Sequence, residues 1–130
     1  MHLIRRALML TAAAALSSTL AACNVDLTGI TGSVQGNYSL RSINGYSMPY
    51  TFSQGQTLIN ETLTLNGDGS YTDISLWNDG HSDSHYGYYT SRSGSIDFTD
   101  QTSGFTYQGT VSGSVLTEVI NGYTQRYNRN

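Results

Sequence analysis

The chain has no lysine and a single cysteine, proline and tryptophan among its 130 residues. Without lysine there is no Schiff-base chemistry, and a single cysteine cannot form an intrachain disulfide. No window places apolar residues at the i, i+3, i+4 and i+7 positions of an amphipathic helix. The sequence also lacks the G-x-S-x-G, G-x-x-x-x-G-K-[ST], G-x-G-x-x-G and H-E-x-x-H motifs. We therefore expect an all-β protein that is not an enzyme and requires no cofactor.

The N-terminal segment predicts export. Arg5 and Arg6 precede an apolar stretch at 7–22, which is shorter than the about 20 residues of a membrane span. Basic residues, an apolar stretch and small residues, in that order, are typical of a secretory signal peptide, which we place at 1–22. The lone cysteine, Cys23, follows directly. The tetrapeptide 20–23 (LAAC) resembles the lipobox of bacterial lipoproteins.

This resemblance implies cleavage before Cys23, a lipid on its sulfur and acylation of the new amino terminus. The alternative is a secreted protein with an unmodified cysteine. By resemblance to enterobacterial sorting, Asn24 favours the outer membrane of the cell envelope over the inner one. Residues 23–35 mix Gly, Ser and Thr without a sustained period, which predicts a flexible tether.

Charge limits the partners of the exported chain. Beyond residue 22 there are four arginines against nine acidic residues, which leaves a net charge of −5. A chain without a basic stripe cannot neutralise phosphates, so neither nucleic acid nor anionic lipid head groups are expected partners. Membrane attachment must then come from the acyl chains, at about 0.8 kcal/mol per buried methylene. The sequence identifies no protein partner.

From Gly36 onward, runs rich in Tyr, Thr, Ile and Val alternate with turn residues, as in β-strands. Asn44-Gly45, Asn66–Gly69 and Asn121-Gly122 predict tight hairpins, and two Ser-Gly-Ser sequences predict further reversals. The predicted strands are 36–43, 46–53, 57–66, 70–78, 85–92, 95–100, 104–111, 114–120 and 123–129. Consecutive hairpins without a long crossover favour an antiparallel up-and-down β-barrel of about eight strands over 36–130.

Several segments together resemble the small lipocalin-like domains of bacterial lipoproteins. They are Gly36–Leu40, Ile43–Gly45, Pro49, Leu63–Tyr71, Gly87–Tyr89, Gly109–Leu116 and Tyr127–Arg129. The resemblance implies a calycin-type β-barrel and no shared catalytic residues.

Two strands have informative side-chain patterns. In the first, Glu61 has the parity of Ile59, Leu63 and Leu65, which predicts that all four face the interior. A buried Glu61 needs a partner, for which we expect an arginine such as Arg41 or Arg126. In the second strand, Val115 and Val119 oppose Leu116 and Ile120, which predicts that both of its faces are covered.

The densest polar cluster is a candidate metal site. Asp79, His81, Asp83 and His85 alternate, so in an extended segment all four side chains point to one side. Two imidazoles and two carboxylates suit zinc or another transition metal. The alternatives are a solvated polar loop, which Gly80 favours, and a histidine pair whose charge responds to pH near neutrality.

The second notable feature is the abundance of tyrosine, with ten residues in the chain. Trp77, Tyr86, Tyr88 and Tyr89 are the candidate residues for contact with a ligand or a partner surface, since such rings combine an apolar body with a polar group. The alternative is that these rings replace Phe and Leu on half-buried strand faces.

Four functions follow from these patterns. The first is binding of a small apolar or amphipathic ligand inside an eight-stranded barrel. The second is a packed barrel whose surface contacts an envelope protein or glycan. The third is metal capture through the 79–85 segment. The fourth is a hydrolase with a Ser-His-Asp set assembled from His81 or His85, but with so many serines in the chain such a coincidence carries almost no weight.

Overall fold

A computed structural model describes residues 34–130 and contains ten β-strands. The strands are β1 (Gly36–Ile43), β2 (Tyr46–Ser47), β3 (Tyr50–Thr51), β4 (Thr57–Leu65), β5 (Ser70–Trp77), β6 (Ser82–Arg92), β7 (Ser95–Asp100), β8 (Thr106–Ser112), β9 (Val115–Ile120) and β10 (Tyr123–Arg129). The predicted signal peptide at 1–22, Cys23 and the tether residues up to 33 lie outside the described residues.

Eight of the strands, β1 and β4 to β10, form a closed antiparallel barrel. Each strand from β4 to β10 pairs with its neighbour in sequence, and β1 closes the ring by pairing with both β10 and β4. The predicted all-β, up-and-down barrel is confirmed. Within residues 34–130 no helix is long and apolar enough to cross a membrane.

The predicted strand 46–53 is present only as the two-residue strands β2 and β3. Pro49 lies between them, and proline cannot donate a hydrogen bond to a strand ladder. The segment 46–56 therefore forms an irregular connection from β1 to β4.

Two hairpins show why their turns could be predicted from the sequence. Asn44 and Gly45 have φ angles of 51° and 82°, and Asn121 and Gly122 have the same two values. Positive φ at both central residues defines the tight hairpin turn whose twist matches that of the flanking strands. Asn and Gly tolerate this conformation better than other residues do, so the two hairpins are encoded locally.

β-Bulges change which residues face the interior. In β4 the register with β5 shifts between Leu58 and Asn60, so Ile59 is an extra residue. Leu58 is buried, and Ile59 is 41% exposed. The prediction that Ile59 faces inward is therefore wrong, whereas Glu61, Leu63 and Leu65 are buried as predicted. A bulge shifts the alternation by one residue, which a simple parity pattern does not reveal.

The prediction that β9 is covered on both faces is also wrong. Leu116 is buried, but Val115 and Val119 are 37% and 54% exposed on the outer surface. The second buried residue of this strand is Glu118. A closed single-layer barrel covers one face of each strand, so the apolar residues on the other face remain in solvent.

The interior has an apolar half and a half that we call polar, in which the buried acids lie alongside the apolar Ile43 and Leu58. The apolar half lies toward the end at which β1 begins, and it includes Val34, Tyr38, Leu65, Tyr89, Ile96 and Leu116. Val34, near the end of the predicted tether, is buried and accepts a hydrogen bond of 2.6 Å from the Tyr38 hydroxyl. The opposite end, where β5 ends and β10 begins, is called the Trp77 end below.

Candidate functional site

The four predicted metal ligands are divided between two places. Asp79 and His81 lie in the turn between β5 and β6, where the backbone does not alternate as a strand does. His81 bonds to Asp79 through Nδ1, and its Nε2 is 3.7 Å from Asp83 Oδ2. His85 instead bonds to Asp100 on β7, with 3.0 Å between Nδ1 and Oδ2.

Between residues 34 and 130, no three His, Cys, Asp or Glu side chains are placed to hold a metal ion. Strand β6 also starts at Ser82, so half of the predicted 79–85 loop is extended and paired with β5. Metal capture stays a prediction without a matching geometry.

The four predicted contact residues do not share a surface. Tyr86 and Tyr88 are 55% and 56% exposed on the outside of β6. Tyr89 is buried in the core and donates a hydrogen bond from its hydroxyl to the Asn66 carbonyl. Because side chains alternate along a strand, Tyr88 and Tyr89 must lie on opposite faces of the barrel.

Trp77 belongs to a group of rings at the Trp77 end. This aromatic cluster consists of Tyr50, Phe52, Trp77 and Tyr123. Phe52 lies at its centre, with ring-centroid distances of 4.9 Å to Tyr50, 5.3 Å to Tyr123 and 5.9 Å to Trp77. The irregular 46–56 connection thus places apolar rings across part of this end.

Trp77 is also fixed from the β6 side. Its indole nitrogen donates a hydrogen bond of 2.9 Å to Asp83 Oδ2, and the His81 ring stacks on it with centroids 6.0 Å apart. Two of the predicted metal ligands therefore orient the tryptophan of the aromatic cluster.

Beneath the aromatic cluster the barrel interior contains the apolar Ile43 and Leu58 together with a network of polar side chains. Glu61 is buried, its carboxyl group is hydrogen-bonded to the Tyr127 hydroxyl, and it accepts a second hydrogen bond, of 2.8 Å, from Ser75 Oγ. The predicted burial of Glu61 is confirmed, but the expected arginine partner is wrong. Arg41 and Arg126 both lie exposed, since neighbouring residues on their strands face the interior.

A protonated Glu61 completes this network. The Tyr127 hydroxyl also lies 2.8 Å from the side-chain oxygen of Gln125, yet a phenol has only one proton. Both contacts are satisfied when Glu61 donates to Tyr127 and Tyr127 donates to Gln125. Burial raises the pKa of Glu61, which favours this arrangement.

Three further oxygen atoms in this half are shielded from solvent and have no hydrogen-bond partner among the described residues. They are Oδ1 of Asp73, Oε2 of Glu118 and the hydroxyl of Tyr71, which interacts with the Tyr107 side chain without forming a well-aligned hydrogen bond. Tyr71 and Asp73 project from the same face of β5, and both interact electrostatically with Glu118 on β9. Unpaired polar atoms in an interior are costly, so these three oxygens mark an unsatisfied site.

Burial controls the protonation of this group. It raises the pKa of Glu118 to about 8, with a further contribution from the nearby Glu61 charge. Burial likewise raises the pKa of Asp73 well above its ordinary value, and raises that of Tyr71 to about 12. A neutral carboxyl is the cheaper form wherever no cation is present.

Asp100 differs from the other interior acids. Although burial raises its pKa, hydrogen bonds from Ser103, from the backbone of Thr102 and from His85 lower that pKa below the ordinary value. The side chain of His85 is 44% exposed, while that of Asp100 is 10% exposed. This pair therefore lies where the polar half of the interior meets solvent.

Two shallow surface depressions, of about 460 and 440 Å³, lie on the described part of the chain. One is lined by residues of the 46–51 segment and includes Tyr50, and the other lies over Phe98 and Tyr107. Neither is a cavity in the apolar half, where side chains such as Tyr38 and Leu116 are fully buried.

Comparison with solved structures identifies the fold. A lipocalin-like protein from Bacteroides uniformis superposes with a TM-score of 0.53 at 17% identity, covering 76% of this chain and all of that one. The barrel is lipocalin-like. An uncharacterised protein from Bacteroides eggerthii also matches, with a TM-score of 0.48 at 14% identity over 74% of this chain and 98% of that one. No protein-family model and no curated protein matches the chain.

The acids of the lipocalin-like barrel were only partly visible in the sequence. Asp73 has the parity of Tyr71 and Trp77, which was a usable signal for its inward position. Glu118 lies two residues from Leu116 and therefore shares its face of the strand, which was a signal for an inward position. Val115 and Val119 obscured that signal, because they predicted that the opposite face was buried as well. The approach of β4, β5 and β9 around one interior depends on barrel closure.

Proposed function

We propose that this protein is a lipid-anchored lipoprotein of the bacterial cell envelope, held at the outer membrane. Its lipocalin-like barrel is not catalytic and binds a small amphipathic ligand at the Trp77 end. The anchor rests on the lipobox resemblance around Cys23 and on the predicted signal peptide before it.

One observation carries the binding proposal. The three unpaired oxygens of Tyr71, Asp73 and Glu118 lie in the interior, where Asp73 interacts with Glu61 and shares the inward face of β5 with Trp77 of the aromatic cluster. Small-molecule sites combine apolar and aromatic walls with a few polar groups that fix orientation. The surface depression of about 460 Å³ beside Tyr50 offers a place for a guest at this end, and the mixture of rings and oxygens suits an amphipathic one.

Native mass spectrometry of the full-length protein purified from its own envelope tests the binding proposal. We expect a fraction of the protein to carry a bound small molecule, and we expect Phe52→Ala to reduce that fraction. The matched control is Phe105→Ala, which removes an equal ring that is 72% exposed and outside the aromatic cluster. Protein recovered only in the free form would contradict the proposal.

The anchor has a separate test. Replacing Cys23 by Ser removes the only thiol to which a lipid can be attached. We expect wild-type protein to incorporate a labelled fatty acid and the Cys23→Ser variant not to incorporate it. Wild-type protein without label would contradict the lipoprotein assignment while leaving the barrel untouched.

A second candidate function rests on the outer surface of β5 and β6. Ile74 and Leu76 are 49% and 39% exposed there, beside the exposed Tyr86 and Tyr88. An exposed group of this kind suits contact with an envelope protein or glycan. Under this alternative, Ile74→Arg abolishes cross-linking to the partner, whereas Phe52→Ala does not.

A further inference from the structure

We propose that the ligand bound at the Trp77 end carries an ammonium group, which the carboxyl groups of Asp73 and Glu118 and the hydroxyl of Tyr71 bind. This inference rests on the proposed ligand-binding function and specifies the chemical class of the ligand. It follows from charge, from hydrogen-bonding capacity and from the surrounding rings.

The ionisable side chains facing the polar half are nearly all acids. Acidic side chains enter it from four strands, and they are Glu61, Asp73, Asp100 and Glu118. Within residues 34–130, His85 is the one basic side chain that faces them, and it is engaged by Asp100. Arg41, Arg92 and Arg126 are exposed, and Arg129 contacts Tyr38 toward the opposite end. An anionic ligand would therefore find no cation to pair with, whereas a cationic ligand stabilises the ionised form of carboxyl groups that are otherwise neutral.

The unpaired atoms call for a donor. Asp73 Oδ1 and Glu118 Oε2 accept hydrogen bonds, and the Tyr71 hydroxyl accepts as well as donates. Tyr71 is only 1% exposed, and its hydroxyl lies within the electrostatic reach of Asp73, Glu118 and Asp100. An ammonium group has three donors and is matched to three such oxygens. A ligand hydroxyl has one donor and leaves the others unpaired.

The aromatic cluster suits the same ligand. The negative faces of Trp77, Tyr50 and Tyr123 attract cations and also pack against an apolar body. A ligand with an ammonium group and an aryl or short alkyl body therefore satisfies both parts of the site. Water satisfying the three oxygens is the competing arrangement, and it predicts no preference for amines.

A matched ligand series tests the inference on the full chain purified in a non-ionic detergent. The probes are 2-phenylethylammonium, 2-phenylethanol and 3-phenylpropionate, which differ chiefly in the charge of the polar group. Trp77, the only tryptophan, reports binding at this end by its fluorescence, and calorimetry provides an independent measurement. We expect the amine to bind at least about tenfold more tightly than the alcohol, since charge-assisted hydrogen bonds exceed neutral ones. We expect no saturable binding of the carboxylate.

Charge-removing variants then locate the preference. Glu118→Gln and Asp73→Asn each keep the side-chain shape, and we expect either to reduce the amine-to-alcohol ratio severalfold. Asp97→Asn is the control, because it removes one negative charge from an exposed position on the outside of β7. An unchanged ratio in both folded interior variants would overturn the inference.

The wild-type series decides the matter even where a variant fails to fold. Equal binding of amine and alcohol overturns the ammonium inference and leaves the proposed ligand-binding function in place. Binding of none of the three probes, by fluorescence and by calorimetry, overturns both. A preference for the carboxylate overturns the inference, because it would show that the site binds anions and not cations.

Discussion

Individual side chains at the centre of the barrel have two functions. They fill space, and they supply hydrogen-bond partners for buried polar groups. Tyr127 is fully buried, and its hydroxyl links Glu61 on β4 to Gln125 on its own strand. The ring supplies buried apolar area, and the hydroxyl prevents Glu61 from being an unpaired acid. Residue identity here is therefore set by hydrogen bonding as much as by volume.

Replacing Tyr127 by Phe tests this dual function. The change keeps the ring and removes the hydroxyl, so Glu61 and Gln125 lose a shared partner. We expect a loss of about 1–3 kcal/mol in the free energy of unfolding, measured by urea denaturation. The control is Tyr88→Phe, which removes a hydroxyl from an exposed ring and is expected to change stability by less than about 0.5 kcal/mol. Equal effects of the two changes would contradict this account of Glu61.

Strands in this barrel approach closely where glycine replaces a larger residue. A Cβ atom built on Gly87 of β6 would lie 2.0 Å from the Thr99 carbonyl oxygen and 2.9 Å from the Tyr71 ring. The missing side chain lets Tyr71 fill the interior and contact Phe98 edge-on at 5.2 Å. Gly87 is thus a packing residue of the β6–β7 pair.

We expect Gly87→Ala to destabilise the barrel by about 1–3 kcal/mol or more, because the added methyl group overlaps backbone that cannot move independently. Urea denaturation measures the change. Ser84→Ala, on the exposed face of the same strand, controls for the general effect of alanine in β6. A Gly87→Ala variant as stable as Ser84→Ala would show that β6 and β7 can separate at no cost.

The positions of strands and turns were largely predictable from the sequence, and each exception has a physical reason. The Asn-Gly turns and the alternating runs placed nearly every strand within a few residues, because both signals are local. Ile59 was assigned to the wrong face because a bulge adds one residue without a composition signal. The sequence predicts a strand that begins only at residue 85, because residues 82–84 are polar. In the structure these three residues pair with β5 and belong to β6.

The whole molecule concentrates buried acids in one half, and this makes its stability depend on pH. The folded-state pKa of Glu118 is raised from 4.5 to about 8, so the folded protein binds a proton that the unfolded chain releases. Stability from this group is fully present below about pH 4.5 and is lost as pH rises through 8. The raised pKa values of Glu61 and Asp73 act in the same direction.

We therefore expect the free energy of unfolding to fall between pH 5 and pH 8, by a total on the order of a few kcal/mol. Glu118→Gln removes one of these contributions and should reduce the slope, whereas Asp97→Asn should leave it intact. Urea midpoints at several pH values within this window measure the slope. A stability that rises toward pH 8 would contradict the burial of these acids.

The sequence by itself determined the all-β class, the hairpin order and the inward position of Glu61, because turn chemistry and strand periodicity act over a few residues. Its predictions of an exported, lipid-anchored chain also come from a short contiguous stretch, 1–23. Only the tertiary structure decided which acids share an interior and what satisfies them. Glu61 and Tyr127 are 66 residues apart in the chain. They meet because β1 closes the ring between β10 and β4, and no local pattern of residues specifies that contact.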